Sequence, residues 1–303
     1  MPQRTKIILN PITNHGRSQQ DADQLKPMFK EHAVDWYVSE YAGHSVKLAH
    51  DAAAEGYDLV VAAGGDGTVH EVVNGLMQLP AEIRPKMGIL PLGSGNDFAH
   101  IIGVAEDHAQ AFQNFLHRTP ISLDVGVVGD ENNRKEYFCN TIGIGFDAVV
   151  TIHTKRMKKI HGFMMYLVAT VKTIFLDFPR MDLTVETDEE RWEETTIMLT
   201  LGNGPREGGG FMVTPDAKVD DGLLNYVTVS KISRLMMLRL VPEVMKGTQG
   251  RFRQVRMGIC RRMSIHSKQP LFAHCDGEIF SGFDTRLFQF NIEILPNALQ
   301  VIK

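Results

Sequence analysis

Leu59-Val-Val-Ala-Ala breaks into Gly64-Gly65-Asp66-Gly67-Thr68, and apolar residues then recur at Val69, Val72, Val73, Leu76 and Met77. An apolar run without alternation is a strand buried on both faces, and the i, i+3, i+4, i+7 spacing after it is a helix with one apolar face. A strand that turns directly into a helix is half of a βαβ unit. It commits this part of the chain to a parallel α/β sheet, whose ligands bind at the strand carboxyl ends. The glycines let backbone N–H groups approach a phosphate, and the helix N-terminus adds a favourable dipole. Asp66 is out of place there unless a divalent cation such as Mg²⁺ mediates; the alternative is a tight turn with a solvated acid. Thr68 and Glu71 have the T-x-x-E spacing of a capping box, which accounts for Glu71 as well as ligand contact would.

The same texture surrounds this element. Strand-like runs at Lys6–Leu9, Val34–Val38 and Gly88–Leu92 alternate with helix-like segments at 19–31, 45–55 and 108–118. The run at Ile89 ends in a second glycine and serine loop, Pro91-Leu92-Gly93-Ser94-Gly95-Asn96-Asp97, with an acid where a helix can begin. From Leu123 onward strand-like runs dominate: 123–128, 138–144, 181–187, 195–201, 223–229, 262–267 and 287–295. Two helical segments, 163–175 and 232–245, interrupt them. We expect an α/β domain over residues 1–125 and a mainly β domain over 126–295.

Composition excludes several alternatives. At 303 residues the length suits two domains, and 43% apolar with 22% charged residues is a globular balance. A net charge of −4 calls for no nucleic acid. Cys139, Cys260 and Cys275 have neither a disulfide framework nor zinc spacing, which favours a reducing cytosol. The stretch from Met1 to Leu9 lacks a signal-peptide core, and the apolar segment Phe163–Val171 stops at Lys172, about half a membrane span. Basic residues cluster at Lys155, Arg156, Lys158 and Lys159, and again at Lys246, Arg251, Arg253, Arg256, Arg261, Arg262 and Lys268. Beside apolar surface, such clusters suit an anionic membrane interface. Two acidic turns remain: Asp276-Gly277-Glu278, which reads as a hairpin turn with Gly277 at positive φ, and Pro215 to Leu223, a solvated turn or an oxygen-ligand cation site.

In order along the chain, Asn10-Pro11, Gly43-His44-Ser45, Gly64 to Thr68, Pro91 to Ala99, Asn140 to Ala148, Gly208 to Gly210, Pro215 to Leu223 and Asp276 to Glu278 resemble the diacylglycerol kinase family, its bacterial members above all. The resemblance implies an NAD-kinase-like, Rossmann-like nucleotide domain, completed by residues 296–303, and a C-terminal β-sandwich, with the active site between them. It implies ATP held by Asn10, Pro11, Ile12, Thr13, Asn14, Ser39, Gly65, Asp66, Gly67, Thr68, Val69, His70, Glu71 and Ser94. Asp66, Asp97 and Asp124 would organise catalytic Mg²⁺. Glu278 would be the general base, its carboxyl raised by burial, and Lys218, Asp221 and Leu223 would hold a structural Mg²⁺. Thr13 and Asn14 stand where many relatives have a small residue and Gly, and Ser39 where they have Thr. The expected acceptor is the hydroxyl of a diacylglycerol-like lipid, met by a cytoplasmic protein peripheral to an anionic membrane; homodimers are common in the family. A kinase of a soluble acceptor such as NAD, or a non-catalytic lipid- or nucleotide-binding protein, are the rival readings.

Overall fold

The computed structural model describes residues 3–157 and 162–303, so Met1, Lys158 and Lys159 of the segments read above lie outside the described residues. The chain divides into two compact units, Met1–Leu123 with Asn297–Lys303, and Asp124–Pro296.

The first unit runs β1 (Thr5–Leu9), α1 (Arg17–Leu25), β2 (Val34–Val38), α2 (His44–Asp51), β3 (Leu59–Gly64), α3 (Asp66–Leu76), β4 (Lys86–Pro91), α4 (Asp97–Ile102) and α5 (His108–His117). The strands pair in parallel in the order β2-β1-β3-β4, and Val301 and Ile302 add to β4, also in parallel. Parallel direction puts the carboxyl ends of all four strands on one edge. Ile7, Leu9, Leu59, Val61, Ala63 and Leu90 bury one face against α1 and α5 through Leu25, Phe112 and Phe115. On α3 the periodic residues Val69, Val72, Val73 and Leu76 are all buried, at about 1.5–3 kcal/mol per side chain. A charge at Val72 would break that face.

The capping expected at α3 is built differently. Gly65 is the N-cap, no side chain caps the helix, and Thr68 lies inside its first turn. Glu71 instead accepts from the backbone N–H groups of Gly43 (2.8 Å) and Ser45 (3.2 Å), so it caps α2. The sequence spacing could not show this, because the partner helix lies earlier in the chain.

The second unit comprises β5 (Ile121–Asp130, from Asp124), β6 (Lys135–Phe138), β7 (Thr141–Gly145), α6 (Phe146–Lys155), α7 (Gly162–Phe175), β8 (Met181–Thr187), β9 (Arg191–Gly202), β10 (Leu224–Ser230), α8 (Arg234–Lys246), β11 (Val255–Cys260), β12 (Arg262–Ser267), β13 (Ala273–Cys275), β14 (Glu278–Ser281) and the first part of β15 (Gln289–Ile302). Its strands pair antiparallel in the order β14-β13-β7-β9-β8-β12-β15, with β10 between β9 and β11 and β6 on β5. Strand β9 contributes to two cores. Leu199 and Leu201 of β9 join Ile142, Ile144, Phe280 and Phe290, while Ile197 and Met198 join Val150, Ala169 and Met237 under the three helices. This is the β-sandwich of the sequence reading.

Three segments differ from that reading. The run 138–144 is two strands, because the backbone N–H groups of Cys139, Asn140 and Thr141 turn to the Asp276 carboxylate, at 2.9, 2.9 and 3.0 Å. Helix α6 was not legible in Val149, Val150, Thr151, Ile152 and Thr154, which favour strands. Residues 146–154 are all buried, and that burial outweighs propensities of under about 0.7 kcal/mol per residue. Part of the second basic run is β11, where Arg256 pairs with Glu190 and lies over the Trp192 ring, 4.1 Å from its centroid.

Candidate functional site

The four strand ends of the first unit carry most of the expected nucleotide residues. Asn10 follows β1, with its backbone N–H on the Ala63 carbonyl (3.1 Å) and its side-chain oxygen accepting from the Ile12 N–H (3.2 Å). Ser39 follows β2 and donates from its backbone to Leu9 (2.8 Å). Between β3 and α3, and between β4 and α4, the two glycine loops meet backbone to backbone. A Cβ on Gly93 would stand 2.5 Å from the Gly65 Cα, so only glycine permits that approach. Asn96, at φ +51°, clamps the second loop by accepting from the Gly93 N–H (3.0 Å) and donating to its carbonyl (2.9 Å).

Asp66 is neither a solvated turn acid nor an isolated one. Its Oδ1 accepts from the Phe98 N–H at 3.1 Å, in the first turn of α4, and its Oδ2 lies over Gly95. The carboxylate therefore ties the two loops together, and Asp97 beside it is buried. Thr68 Oγ1 is buried without a hydrogen-bond partner. An uncapped helix N-terminus, two glycine loops, an orphaned hydroxyl and two acids fit a Mg²⁺-bound nucleotide phosphate. Three of the expected contacts point elsewhere with their side chains. Val69 is core, His70 is buried beside Asn74 with Nε2 3.3 Å from Nδ2, and Glu71 caps α2. Ile12 is exposed, Thr13 lies near Gly65, and Asn14 has φ +49°.

In the second unit Asp124 is buried within the acidic turn. Its backbone N–H donates to Val219 (2.8 Å) and its carboxylate accepts from the Gly222 N–H (2.6 Å), while Asp221 accepts from the Leu223 N–H (3.1 Å). The turn thus gathers Asp124 and the three residues expected to hold a structural cation. Asp276 and Gly277 form the two-residue hairpin loop between β13 and β14, both at positive φ, as an Asp-Gly turn should. Asp276 is anchored by its three backbone donors rather than solvated. Glu278 corrects the expectation of burial: its side chain is 39% exposed and accepts from Lys155 Nζ at 2.6 Å.

Sequence reasoning missed one constellation. Asp147 on α6, Glu207 and His274 on β13 bring one ligand atom each within 4.8 Å of the others. Burial pushes the Asp147 carboxyl up, but the His274 ring and side-chain hydrogen bonds from Glu207 and Thr200 outweigh it and hold the carboxyl below its usual range. The available signals were a lone acid in Gly145-Phe146-Asp147 and the His274-Cys275 pair, each unremarkable alone. Asp147 and Glu207 open onto a cavity lined mostly by apolar side chains of α6, α7, β9 and α8, among them Phe146, Tyr166, Met198 and Met237, together with Phe211.

Comparison with known proteins follows the same division. The diacylglycerol kinase catalytic domain matches residues 4–128, and the YegS C-terminal NAD kinase beta sandwich-like domain matches 140–303. A protein of Chromohalobacter salexigens, "Probable lipid kinase YegS-like", is 40% identical over 68% of this chain, which spans 65% of that relative's length. A namesake from Yersinia enterocolitica is 30% identical, covering 85% of this chain and 83% of its own. The diacylglycerol kinase of Mycobacterium tuberculosis is 29% identical over 99% and 95%. Among solved structures, a diacylglycerol kinase from Bacillus anthracis superposes with a TM-score of 0.73 at 20% identity, over 99% of this chain and 97% of that one. Yeast NADH kinase does so with 0.52 at 12%, over 99% and 83%. These two likenesses speak for the fold alone.

Proposed function

Since the chain belongs to the lipid kinase family of bacterial diacylglycerol kinases and YegS-like proteins, and so is a phosphotransferase acting on an alcohol group, we propose that it transfers the γ-phosphate of ATP to the hydroxyl of a diacylglycerol-like lipid. The observation that carries the acceptor is the cavity of the second unit, whose mostly apolar lining suits an acyl chain. A soluble acceptor such as NAD would have no use for it, and the likeness to NADH kinase is one of fold.

Mg²⁺ would neutralise charge on the transferring phosphate. The chain's part is alignment. The loops at Gly65 and Gly93 present backbone N–H groups to the phosphates, and Asp66 and Asp97 supply carboxylate oxygens for the cation. Glu278 takes the acceptor proton, its carboxylate oriented by Lys155. Asp124 keeps the acidic turn in shape for a cation held by Asp221 and the carbonyls of Lys218 and Leu223.

Helix α7 accounts for access to the lipid. Tyr166 and Thr170 line the cavity, while Met164, Val168, Val171 and Phe175 form an exposed apolar stripe at i, i+4, i+7 and i+11. No described helix is long and apolar enough to cross a membrane. A stripe of this kind beside Arg156 and Lys172 suits the surface of an anionic bilayer. The test is labelled ATP offered with a panel of lipids in mixed micelles and, separately, with NAD. Label in a lipid alone is expected; label in NAD alone would overturn the reading.

A further inference from the structure

The cavity of the second unit has two unlike ends, and the sheet beneath it fixes their separation. Gly143 of β7, Thr200 of β9 and Val227 of β10 stand in one register across three neighbouring strands. Directly paired residues share a face of the sheet, here the face covered by the helices. The row begins polar: a Cβ on Gly143 would stand 2.3 Å from Asp147 Oδ2 on α6, and Thr200 Oγ1 donates to the same oxygen at 2.8 Å. It ends apolar, with Val227 buried in one core with Met237 and Val241 of α8. Two strand spacings, about 10 Å, separate Gly143 from Val227. Asp147, Met237 and Val241 all line the cavity, which therefore runs from a polar end over β7 to an apolar end beneath α8.

The polar end is the one beside the proposed base. Tyr166 lines the cavity, and its hydroxyl lies 3.7 Å from where a Cβ on Gly277 would be, one residue before Glu278. An acceptor whose hydroxyl meets Glu278 thus has its head at that end and its chain directed toward α8. There the chain meets Met237, Val241 and Val244, spaced i, i+4 and i+7 on one face of the helix. The helix that carries them is fixed at both ends. The Ser233 side chain caps it by accepting from the Met236 N–H, and Gly247, at φ +69°, donates its N–H to the Val244 carbonyl at 3.2 Å. Side-chain size on that face then sets where the cavity stops.

We propose that Met237, Val241 and Val244 of α8 are an end-stop that selects the length of the acceptor's acyl chain, which makes them specificity residues. The proposal rests on the lipid-acceptor reading. Its test is the transfer of label from ATP to a series of diacylglycerols, from dioctanoyl to dioleoyl, in mixed micelles. Rates on the longest and shortest chains are taken as a ratio, and the ratio of each variant is compared with that of wild type. One methylene withdrawn from water is worth about fourfold. Val241→Phe fills the end of the cavity and should lower the long-to-short ratio by about tenfold. Met237→Ala lengthens the cavity and should raise the ratio by about fourfold or more. A general defect does not move the two variants in opposite directions, and either variant decides the matter if the other fails to fold. Unchanged ratios, or equal losses at every chain length, would overturn the end-stop and leave the lipid-acceptor reading standing. A wild type that labels no diacylglycerol of any length would overturn both.

Discussion

The glycine-loop edge of the first unit and the apolar cavity of the second are built from different materials. The edge is backbone: N–H groups, a helix end and two loops whose glycines touch, contributed by short contiguous segments. The cavity is side chains, drawn from residues as far apart as Phe146, Glu207 and Val244, with Asp147 and Glu207 at its polar corner. Backbone sites must recur wherever a phosphate is cradled, because their geometry tolerates few sequences. Side-chain cavities need only volume and polarity, which many sequences supply. The first unit therefore announces its chemistry, and the second has to be seen folded.

The largest effect should come where the second unit touches chemistry. Glu278→Gln keeps the shape of the side chain and removes the proposed base, so turnover should fall by about 10²–10⁴ while ATP affinity stays within a few-fold. A loss under about tenfold would break the comparison by removing the second unit from catalysis.

Gly93→Ala tests whether the first site is truly backbone. Its new Cβ would meet the Gly65 Cα at 2.5 Å. We expect ATP affinity to drop more than about tenfold, and stability by about 1–3 kcal/mol. Ser94→Ala, an exposed side chain in the same loop, should change affinity by less than about threefold. Isothermal titration of both variants would reverse the argument if Ser94→Ala were the costlier.

The polar corner can be read through pH. The folded Asp147 carboxyl is held below its ordinary value. It therefore adds stability above the unfolded value, near about pH 4, and that increment is lost as pH falls through the lower folded value. Denaturant midpoints of wild type and Asp147→Asn should separate above about pH 4 and converge under stronger acid. A constant separation across the range would mean that Asp147 does not ionise in the fold. The smallest effect concerns the acidic turn. Added Mg²⁺ or Ca²⁺ should raise the melting temperature by a few degrees, about 1–2 kcal/mol at modest saturation, and Asp221→Ala should abolish that rise without altering ATP affinity.

The sequence reading extends unevenly over these regions. Helix α3 and strand β3 were legible because one buried face and one buried run repeat at fixed spacing, and the glycines between them mark the turn. Strand β8 was legible end to end for the same reason, as Met181, Leu183 and Val185 alternate with polar neighbours. Helix α6 was not, since its β-branched residues point to a strand and only burial on every side reverses them. The roles of Glu71 and Asp276 were misplaced because their partners, Gly43 and Cys139, are distant in sequence or precede them in a direction that spacing rules do not search. The basic runs suggested free cations, yet Lys155 and Arg256 are paired with Glu278 and Glu190.

By itself the sequence determined the α/β and β-rich classes of the two halves, the loops fit for phosphate, and the kinship with lipid kinases. Those properties depend on local periodicity and on glycines whose backbone freedom is intrinsic to the residue. Only the tertiary structure decided that Asp66 joins the two loops, that Glu278 meets Lys155 in the open, and that Asp147, Glu207 and His274 face one another. Each of these is a contact between segments whose separation along the chain carries no information about distance. Packing alone brings them together, because the apolar faces that flank them must be buried in one particular register.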